Sequence, residues 1–267
     1  MSLRGERPPL VTLTTDFGIK DSYVACMKGL ILDIAPGCQI VDLCHHIQPQ
    51  DVRHGAYTLW SAAHHFPPGT VHVIVVDPGV GSARKAVAVE AGDYTYVGPD
   101  NGVLWPLVSR EDSFRAHQLT ETLYFRENIS HTFHGRDIFA PVGAHIANGV
   151  PIEELGPELA ELKTLDLFHP RVGKNRVEGY VVWADHFGNL PTDISTKELP
   201  SFDEYKRCTI EVGEHRWIGI DRTFSDVQSE EPVAFINSFG LLELAVRNRS
   251  AADVLGIQRG DHVVVSW

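Results

Sequence analysis

Runs of apolar residues alternate with amphipathic segments over the first half of the chain. The runs at residues 10–15, 39–44 and 71–77 are rich in β-branched residues, as are strands buried on both faces of a parallel sheet. Between these runs, apolar residues recur every three or four positions over 24–34 and 52–63, which predicts two helices. This β-α-β-α-β order predicts an α/β fold with a largely parallel sheet and helices on both of its faces.

The pattern changes near residues 170–174, after which short alternating stretches dominate and helical periodicity is rare. We therefore predict two domains, an N-terminal α/β domain over residues 1–168 and a smaller antiparallel, barrel-like β domain over residues 169–267. The strands predicted for the second domain are 177–183, 190–194, 208–212, 216–220, 233–236, 242–246 and 262–266.

Polar residues stand where several predicted strands end. Asp77 closes the third strand, a Pro-Gly-Val-Gly turn follows, and Arg84 comes seven residues after the aspartate. Ligands of open α/β sheets bind at the carboxyl ends of the strands, so this pair is a candidate site. A structural ion pair that closes the turn explains the same two residues equally well. Comparable clusters are Asp16 with Asp21 and Ser22, Asp100-Asn101, His134 with Arg136 and Asp137, Asp185 to Asn189, and Asn237 to Gly240.

Composition limits which binding partners and cellular compartments are compatible with the sequence. Of 267 residues, 43% are hydrophobic and 22% are charged, as in ordinary globular proteins. The net charge of −12 disfavours nucleic acid or an anionic membrane as the main partner. No window is apolar enough for a membrane span, and residues 1–9 lack the apolar core of a signal peptide.

The cysteines and histidines do not form a metal-binding pattern. The four cysteines include no CxxC pair and are typical of small buried residues in a reduced, cytoplasmic protein. The 14 histidines include two adjacent pairs, at 45–46 and 64–65, whose side chains point apart on a strand or helix. We therefore predict no metal site and a cytoplasmic location.

Six segments, in order from about residue 10 to the C-terminus, resemble one known family. They are Thr14 to Gly18 with Asp21 to Val24, Val76 to Arg84, Gly98 to Gly102, Thr132 to Pro141, Asp185 to Asn189, and Asn237 to Glu243. The family is that of the S-adenosyl-L-methionine (SAM) hydroxide adenosyltransferases, also known as DUF62 proteins. Its members hydrolyse SAM to adenosine and methionine, and they are related to the SAM-dependent fluorinase and chlorinase.

The resemblance implies an assembly and a site. It implies a homotrimer in which SAM, the substrate, lies between the N-terminal domain of one subunit and the C-terminal domain of the next, with no cofactor. The matching catalytic residues are Asp77, Arg84 and His134. Asp16 matches the ribose contact, Phe187 and Asn189 match adenine contacts, and Asp21, Asp185 and Ser238 match contacts to the methionine end. The full set of implied substrate-binding residues is Asp16, Asp21, Ser22, Thr132, Asp185, Phe187, Asn189, Ser238 and Val246.

The reaction explains why these residue types are suitable. Methionine leaves a sulfonium without needing a proton, so the enzyme has mainly to position and activate a water molecule. Neutral His134 or ionised Asp77 would accept the proton of that water, and Arg84 would orient Asp77 through a charge-assisted pair. The sequence leaves open which of the two groups is the base.

Two other functions are considered beside hydrolysis. The related halogenases carry a tyrosine where this chain has Asp77, and a carboxylate beside the nucleophile repels halide ions. A SAM- or adenosine-binding protein without turnover would be expected to lack part of the Asp–Arg–His set, which is complete here. One departure is Phe239, since fluorinase-type relatives carry an arginine that contacts the substrate at that position.

Overall fold

A computed structural model describes residues 8–267 of the chain. The expectation for the N-terminal segment falls almost entirely on residues 1–7, which lie outside the described residues. The chain divides into two compact units after Leu165, and the boundary predicted after residue 168 lies three residues further on. No helix within residues 8–267 is long and apolar enough to cross a membrane.

The N-terminal unit contains one six-stranded sheet. Its strands are β1 (Leu10–Thr15), β2 (Gln39–Cys44), β3 (Val71–Val75), β4 (Ala86–Ala91), β5 (Tyr94–Pro99) and β6 (Phe114–Gln118). They lie in the order β2-β1-β3-β5-β4-β6, and the first four are parallel while β4 runs antiparallel to both of its neighbours. The predicted, largely parallel sheet is confirmed. Strand β6 was not predicted, because its short Phe-Arg-Ala-His-Gln sequence lacks a continuous apolar run.

Helices cover both faces of this sheet, as predicted. They are α1 (Tyr23–Ile34), α2 (Val52–Ala62), the short α3 (Trp105–Val108) and α4 (Ala140–Ala147), which continues a π-helical turn at Gly135–Phe139. A Cβ on Gly143 of α4 would lie 2.5 Å from Val73, and one on Gly55 of α2 would lie 3.6 Å from Ile74. Because successive side chains of a strand point to opposite faces, these contacts place α4 and α2 on opposite faces.

The helices α1 and α2 begin differently, and the environment of Cys26 differs from the prediction. Asp51 caps α2 by accepting a hydrogen bond from the backbone N–H of His54 at 3.0 Å. Ser22 precedes α1, but its side chain accepts no hydrogen bond from that helix. Cys26 is exposed rather than buried, because it lies on the outer side of α1. All four cysteines are free thiols.

The C-terminal unit is an antiparallel β structure, as predicted. Its elements are β7 (Arg171–Gly173), β8 (Arg176–Tyr180), β9 (Leu190–Ser195), β10 (Thr209–Val212), β11 (His215–Ile218), β12 (Pro232–Ile236), β13 (Leu241–Val246), α5 (Ala251–Leu255) and β14 (His262–Ser266). The strands form two sheets, ordered β11-β10-β14-β8-β7 and β12-β13-β9. Single bridges from Val181 to Thr192 and from Asp221 to Phe235 connect the sheets in a barrel-like order.

One histidine is fully buried within the N-terminal sheet. The side chain of His72 in β3 lies beside β1, where its Nδ1 is 2.7 Å from the Thr12 hydroxyl. Its ring stacks on that of Tyr96 at 5.4 Å between centroids. Burial lowers the pKa of His72 to about 4, since a charged imidazole would lose its hydration there. The folded protein therefore keeps His72 neutral at neutral pH.

This shift predicts an acid-dependent loss of stability. Between pH 6.5 and 4 the unfolded chain protonates His72 while the folded chain does not, so the stabilisation present above pH 6.5 is lost as the pH falls. We expect the free energy of unfolding to fall between pH 7 and pH 4 by about 3 kcal/mol more in the wild type than in His72→Phe. Urea unfolding at both pH values measures the free energy of unfolding of each protein. An equal loss between pH 7 and pH 4 in the wild type and in His72→Phe would contradict the prediction.

Candidate active site

Asp77 and Arg84 form a buried ion pair at the carboxyl edge of the N-terminal sheet. Asp77 lies two residues beyond the end of β3, and the turn that follows returns Arg84 to its carboxylate. The Arg84 Nε lies 3.0 Å from Oδ1 and 2.9 Å from Oδ2, and Nη2 lies 2.5 Å from Oδ2. The two side chains are only 7% and 4% exposed. This bidentate geometry fixes the orientation of the Asp77 carboxylate.

His134 joins this pair from a distant part of the sequence. It precedes the π-helical turn, and its Nδ1 lies 2.7 Å from Nη2 of Arg84. A guanidinium group only donates hydrogen bonds, so Nδ1 accepts, and the proton of the neutral ring lies on Nε2. Burial, and then the positive charge of Arg84, lower the pKa of His134 and favour this neutral ring. The structure therefore brings together the three residues predicted to be catalytic.

A close backbone approach holds the turn against the segment that leads to His134. Gly81 has a positive φ of 77°, and a Cβ at this position would lie 2.7 Å from the carbonyl oxygen of His131. Only glycine combines this backbone conformation with such a short approach. The Arg84 guanidinium also lies 5.2 Å above the ring of Phe139, one turn along the π-helical segment from His134. These contacts hold Arg84 and His134 in register.

Asp16 is a second carboxylate at this edge of the sheet. It follows β1, which pairs directly with β3, so Asp16 and Asp77 extend from neighbouring strands. Its Oδ2 accepts a hydrogen bond from the backbone N–H of Gln50 at 2.7 Å. Burial raises the pKa of Asp16, the Gln50 bond opposes that rise, and the negative charge of Asp77 adds to it. The two carboxylates therefore interact electrostatically.

Three aromatic rings connect the polar segments beside this edge. The ring centroids of Phe17 and Tyr23 are 5.8 Å apart, those of Phe17 and Phe133 are 5.7 Å apart, and those of Tyr23 and Phe133 are 5.1 Å apart. The residues that directly precede the rings are Asp16, Ser22 and Thr132. Asp21, Ser22 and Thr132 are exposed, so they remain accessible to a ligand. None of the three rings was predicted to have a role, although each one adjoins a predicted contact residue.

Asp100 and Asn101 do not point to a ligand. Asp100 is buried and accepts a hydrogen bond from the backbone N–H of Lys163 at 2.8 Å. The Asn101 amide donates to the carbonyl oxygen of Val76 at 2.9 Å, which supports the residue directly before Asp77. Both residues therefore have structural roles.

Asp137 is also structural. Its side chain is fully buried and accepts hydrogen bonds from Nε of Arg136 at 2.6 Å and from the backbone N–H of Ser130 at 2.8 Å. Burial opposes ionisation, but these hydrogen bonds outweigh it and hold the pKa of Asp137 below its usual range. Asp137 thus fastens the segment at Ser130 to the π-helical turn.

A cleft of about 950 Å³ within the C-terminal unit collects the remaining predicted residues. Phe187 is 73% exposed, so its ring does not belong to the hydrophobic core. An exposed aromatic ring on a cleft wall is suited to stacking on a planar ligand. The predicted residues that line the cleft are Asp185, Phe187, Asn189, Ser238 and Val246.

The carboxylate of Asp185 shapes one wall of this cleft. Its Oδ1 accepts hydrogen bonds from the backbone N–H groups of Phe187 and Asn189, both at 2.8 Å, and its Oδ2 accepts from the Asn189 amide at 3.0 Å. Gly188 between them has a φ of 81°, and a Cβ there would lie 2.1 Å from Oγ of Ser250. Asp185 therefore organises the loop that carries Phe187 and Asn189.

Glu243 lines the same cleft and was not predicted to have a role. It lies in the middle of β13, is 8% exposed, and accepts a hydrogen bond from the Asn237 amide at 2.7 Å. Burial raises the pKa of Glu243, and the negative charge of Asp185 adds to the shift. An acidic residue inside the otherwise apolar strand sequence Leu-Leu-Glu-Leu-Ala-Val was the signal that could have identified it.

The part of the chain from residue 8 onward contains no group of three or more His, Cys, Asp or Glu side chains that could hold a metal ion.

Comparison with known proteins gives consistent matches over nearly the whole chain. Models of the SAM hydroxide adenosyltransferase N-terminal and C-terminal domains match residues 11–156 and 179–264. An (R)-S-adenosyl-L-methionine hydrolase from Thermus thermophilus is 42% identical over 258 residues, which cover 94% of this chain and 96% of that protein. A fluorinase from Nocardia brasiliensis is 29% identical over 297 residues, which cover 99% of each. A crystal structure of a conserved protein from Thermotoga maritima superposes with a TM-score of 0.91 at 34% identity, covering 96% of this chain and all of that one.

Proposed function

The chain belongs to the SAM hydroxide adenosyltransferase family, and from this premise we propose that it hydrolyses S-adenosyl-L-methionine. Water or hydroxide attacks the ribose C5′, and the C5′–S bond breaks with its electron pair remaining on sulfur. The products are adenosine and neutral L-methionine, and SAM is the substrate rather than a cofactor. The observation that carries this proposal is the contact of Asp77 with Arg84 and of Arg84 with His134.

The hydrogen bonds of the catalytic set suggest a role for each residue. Arg84 orients Asp77 and occupies Nδ1 of His134, so the neutral His134 presents Nε2–H as a donor. In this role His134 holds the oxygen of the attacking water and does not remove its proton. Asp77 Oδ1 accepts only one of the hydrogen bonds from Arg84 and retains a lone pair for that proton. This geometry favours Asp77 as the base.

The substrate contacts are assigned to residues of the cleft in the C-terminal unit and to polar residues of the N-terminal unit. Phe187 stacks on adenine and the Asn189 amide meets its edge, since both line the cleft of the C-terminal unit. Asp16 binds the ribose diol with its two carboxylate oxygens. The remaining contacts are assigned to Asp21, Ser22, Thr132, Asp185, Ser238 and Val246.

Halogenation is the second candidate function, because fluorinases are among the relatives. Asp77 argues against it. A halide ion at the position of the attacking water would face the Asp77 carboxylate, and like charges repel. The charge of Arg84 is already neutralised by Asp77 through three hydrogen bonds, so it offers little net attraction to an anion. Water carries no charge, so Asp77 does not repel it, and it interacts favourably with both Asp77 and Arg84.

We further propose a homotrimer in which each site combines the catalytic set of one subunit with the cleft of the next. This assembly is carried over from the family resemblance. The free thiols agree with a reducing compartment, and the cytoplasm therefore remains our predicted location.

Incubation of the pure protein with SAM tests the reaction. We expect adenosine and methionine in equal amounts, with no halogenated nucleoside when chloride or fluoride is added.

The variant Asp77→Ala should lose about a hundredfold or more in turnover while still binding SAM, because the base is removed but the substrate contacts remain. Chromatography of the products measures adenosine, methionine and any halogenated nucleoside. Bound SAM without adenosine, or a halogenated nucleoside, would reject hydrolysis.

A comparison of two variants tests the role of His134. The amide of glutamine can accept from Arg84 or offer an N–H near the position of Nε2, but it cannot act as a base near neutral pH. We therefore expect His134→Gln to keep at least about ten times more turnover than His134→Ala. Single-turnover rates at pH 6 to 9 measure this. If both variants are equally inactive, His134 is the base and the assignment above is wrong.

Mixing of two inactive variants tests the shared site. Asp77→Ala damages the catalytic set, and Asn189→Ala damages the cleft. If each site uses two subunits, co-expressed variants form mixed trimers in which roughly a quarter of the sites are intact, since each intact half is drawn with equal chance. We expect that fraction of wild-type turnover from the mixture. Activity no higher than that of the separate variants would contradict a site shared between subunits.

A further inference from the structure

One buried histidine beside the catalytic edge has no part in the proposed chemistry. His45 directly follows β2 and is 4% exposed, and its Nδ1 lies 2.8 Å from the hydroxyl oxygen of Thr15, the buried last residue of β1. Its carbonyl oxygen accepts a hydrogen bond from the backbone N–H of Gly18 at 2.7 Å. Thr15 and Gly18 stand on either side of Asp16, so His45 holds this turn, which we call the Asp16 turn, at both ends.

The other nitrogen of the His45 ring lies beside an ion pair. Nε2 is 3.0 Å from Oδ1 of Asp42, whose Oδ2 accepts from Nζ of Lys28 at 2.6 Å. Burial raises the pKa of Asp42, but the interactions with Lys28 and His45 outweigh this effect and hold the pKa below its usual range. An ionised carboxylate only accepts, so the proton of the neutral His45 ring lies on Nε2, and Nδ1 accepts from the Thr15 hydroxyl.

The Thr15 hydroxyl completes the path to the Asp16 turn. It donates to His45, and its oxygen accepts from the backbone N–H of Phe17 at 3.2 Å. The neighbouring Thr14 is also fully buried, yet its hydroxyl has no hydrogen-bond partner among the described residues. These two adjacent threonines of β1 therefore differ in their hydrogen bonds, since only the Thr15 hydroxyl connects to the turn.

A strained residue of the same connection holds the Asp16 carboxylate itself. Gln50, whose backbone N–H donates to Oδ2 of Asp16, has a φ of 65°. A side chain is unfavourable in this left-handed conformation, and such strain persists where the surrounding structure enforces it, often at functional sites. Gln48 is held in turn, because its backbone N–H lies 3.1 Å from Nδ1 of His54. The connection between β2 and α2 thus bonds the backbone of the turn through His45 and its carboxylate through Gln50.

We propose, on the basis of the ribose contact proposed for Asp16, that His45 is a positioning residue that fixes the Asp16 turn through its bond to Thr15. A carboxylate that meets a vicinal diol with both oxygens has to be held within about 0.5 Å of its productive position. The bond from Gln50 fixes one carboxylate oxygen, and the two bonds of His45 fix the backbone that carries the carboxylate. Asp42 keeps the proton of the ring on Nε2, so that Nδ1 stays an acceptor for Thr15.

Valine substitutions at the two adjacent threonines test this role, because valine keeps the shape of threonine and removes its hydroxyl. Thr15→Val breaks the bond to His45, and Thr14→Val is the matched control. The ligands are adenosine and 2′,3′-dideoxyadenosine, which lacks the diol, and calorimetry measures the binding of both. We expect Thr15→Val to raise the dissociation constant of adenosine about tenfold and that of the dideoxy analogue less than about twofold, while Thr14→Val changes either constant less than about twofold.

The remaining outcomes reject the proposal. Equal weakening of both ligands by Thr15→Val, or an equal effect of Thr14→Val, would mean a general structural role, and unchanged binding of adenosine would mean that the bond does not position Asp16. Asp16→Asn is the reference. If it still prefers adenosine to the dideoxy analogue as strongly as the wild type does, the proposed ribose contact is wrong and the role of His45 falls with it. Because only binding is measured, a wild-type protein that binds SAM without hydrolysing it would reject the proposed reaction and leave this inference intact.

A pair of amide substitutions at His45 tests the same role without altering β1. The asparagine amide reaches the position of Nδ1 and can accept from Thr15, whereas the glutamine amide reaches that of Nε2 beside Asp42. We expect His45→Asn to bind adenosine at least about five times more tightly than His45→Gln, with the dideoxy analogue bound equally by both. Equal affinity of the two variants for adenosine, or tighter binding by His45→Gln, would overturn the role given to the bond between His45 and Thr15.

Discussion

The buried ion pair between Asp77 and Arg84 is the interaction on which the arrangement of the catalytic edge depends. A carboxylate that is 4% exposed is tolerated because Arg84 holds it through three hydrogen bonds, and the same guanidinium reaches His134. Removing the arginine would leave a buried negative charge and would also release the ring. One cation therefore sets the orientation of Asp77, the position of His134 and the location of the proton on that ring.

The surrounding fold supplies what this ion pair needs. Parallel pairing of β1 with β3 brings Asp16 to the same edge as Asp77, and the φ of 77° at Gly81 lets the turn approach the segment that leads to His134. The C-terminal unit arranges its acidic residues differently. There Asp185 shapes the loop that carries Phe187 and Asn189, and the buried carboxyl group of Glu243 lines the same cleft.

The two units thus carry complementary chemistry. The N-terminal unit holds a neutralised ion pair and a neutral imidazole, which are suited to orienting and deprotonating water. The cleft of the C-terminal unit offers an exposed ring, an amide and a carboxyl group, which are suited to a nucleoside that carries a cationic amino acid chain. In the proposed reaction both sets are used, because a weak nucleophile such as water depends on accurate positioning of the substrate.

The sequence by itself determined the parallel sheet and the antiparallel second unit, because hydrophobic periodicity is a local property of the chain. It also predicted Asp77, Arg84 and His134 as one set, which the structure brings into contact. It missed β6, whose short polar sequence forms a strand only because β4 offers it a partner. Only the tertiary structure decided that Asp100 and Asp137 are structural, and that Nδ1 of His134 accepts from Arg84. Such roles depend on which donor lies within about 3 Å of a side chain, and residues far apart in sequence supply that donor.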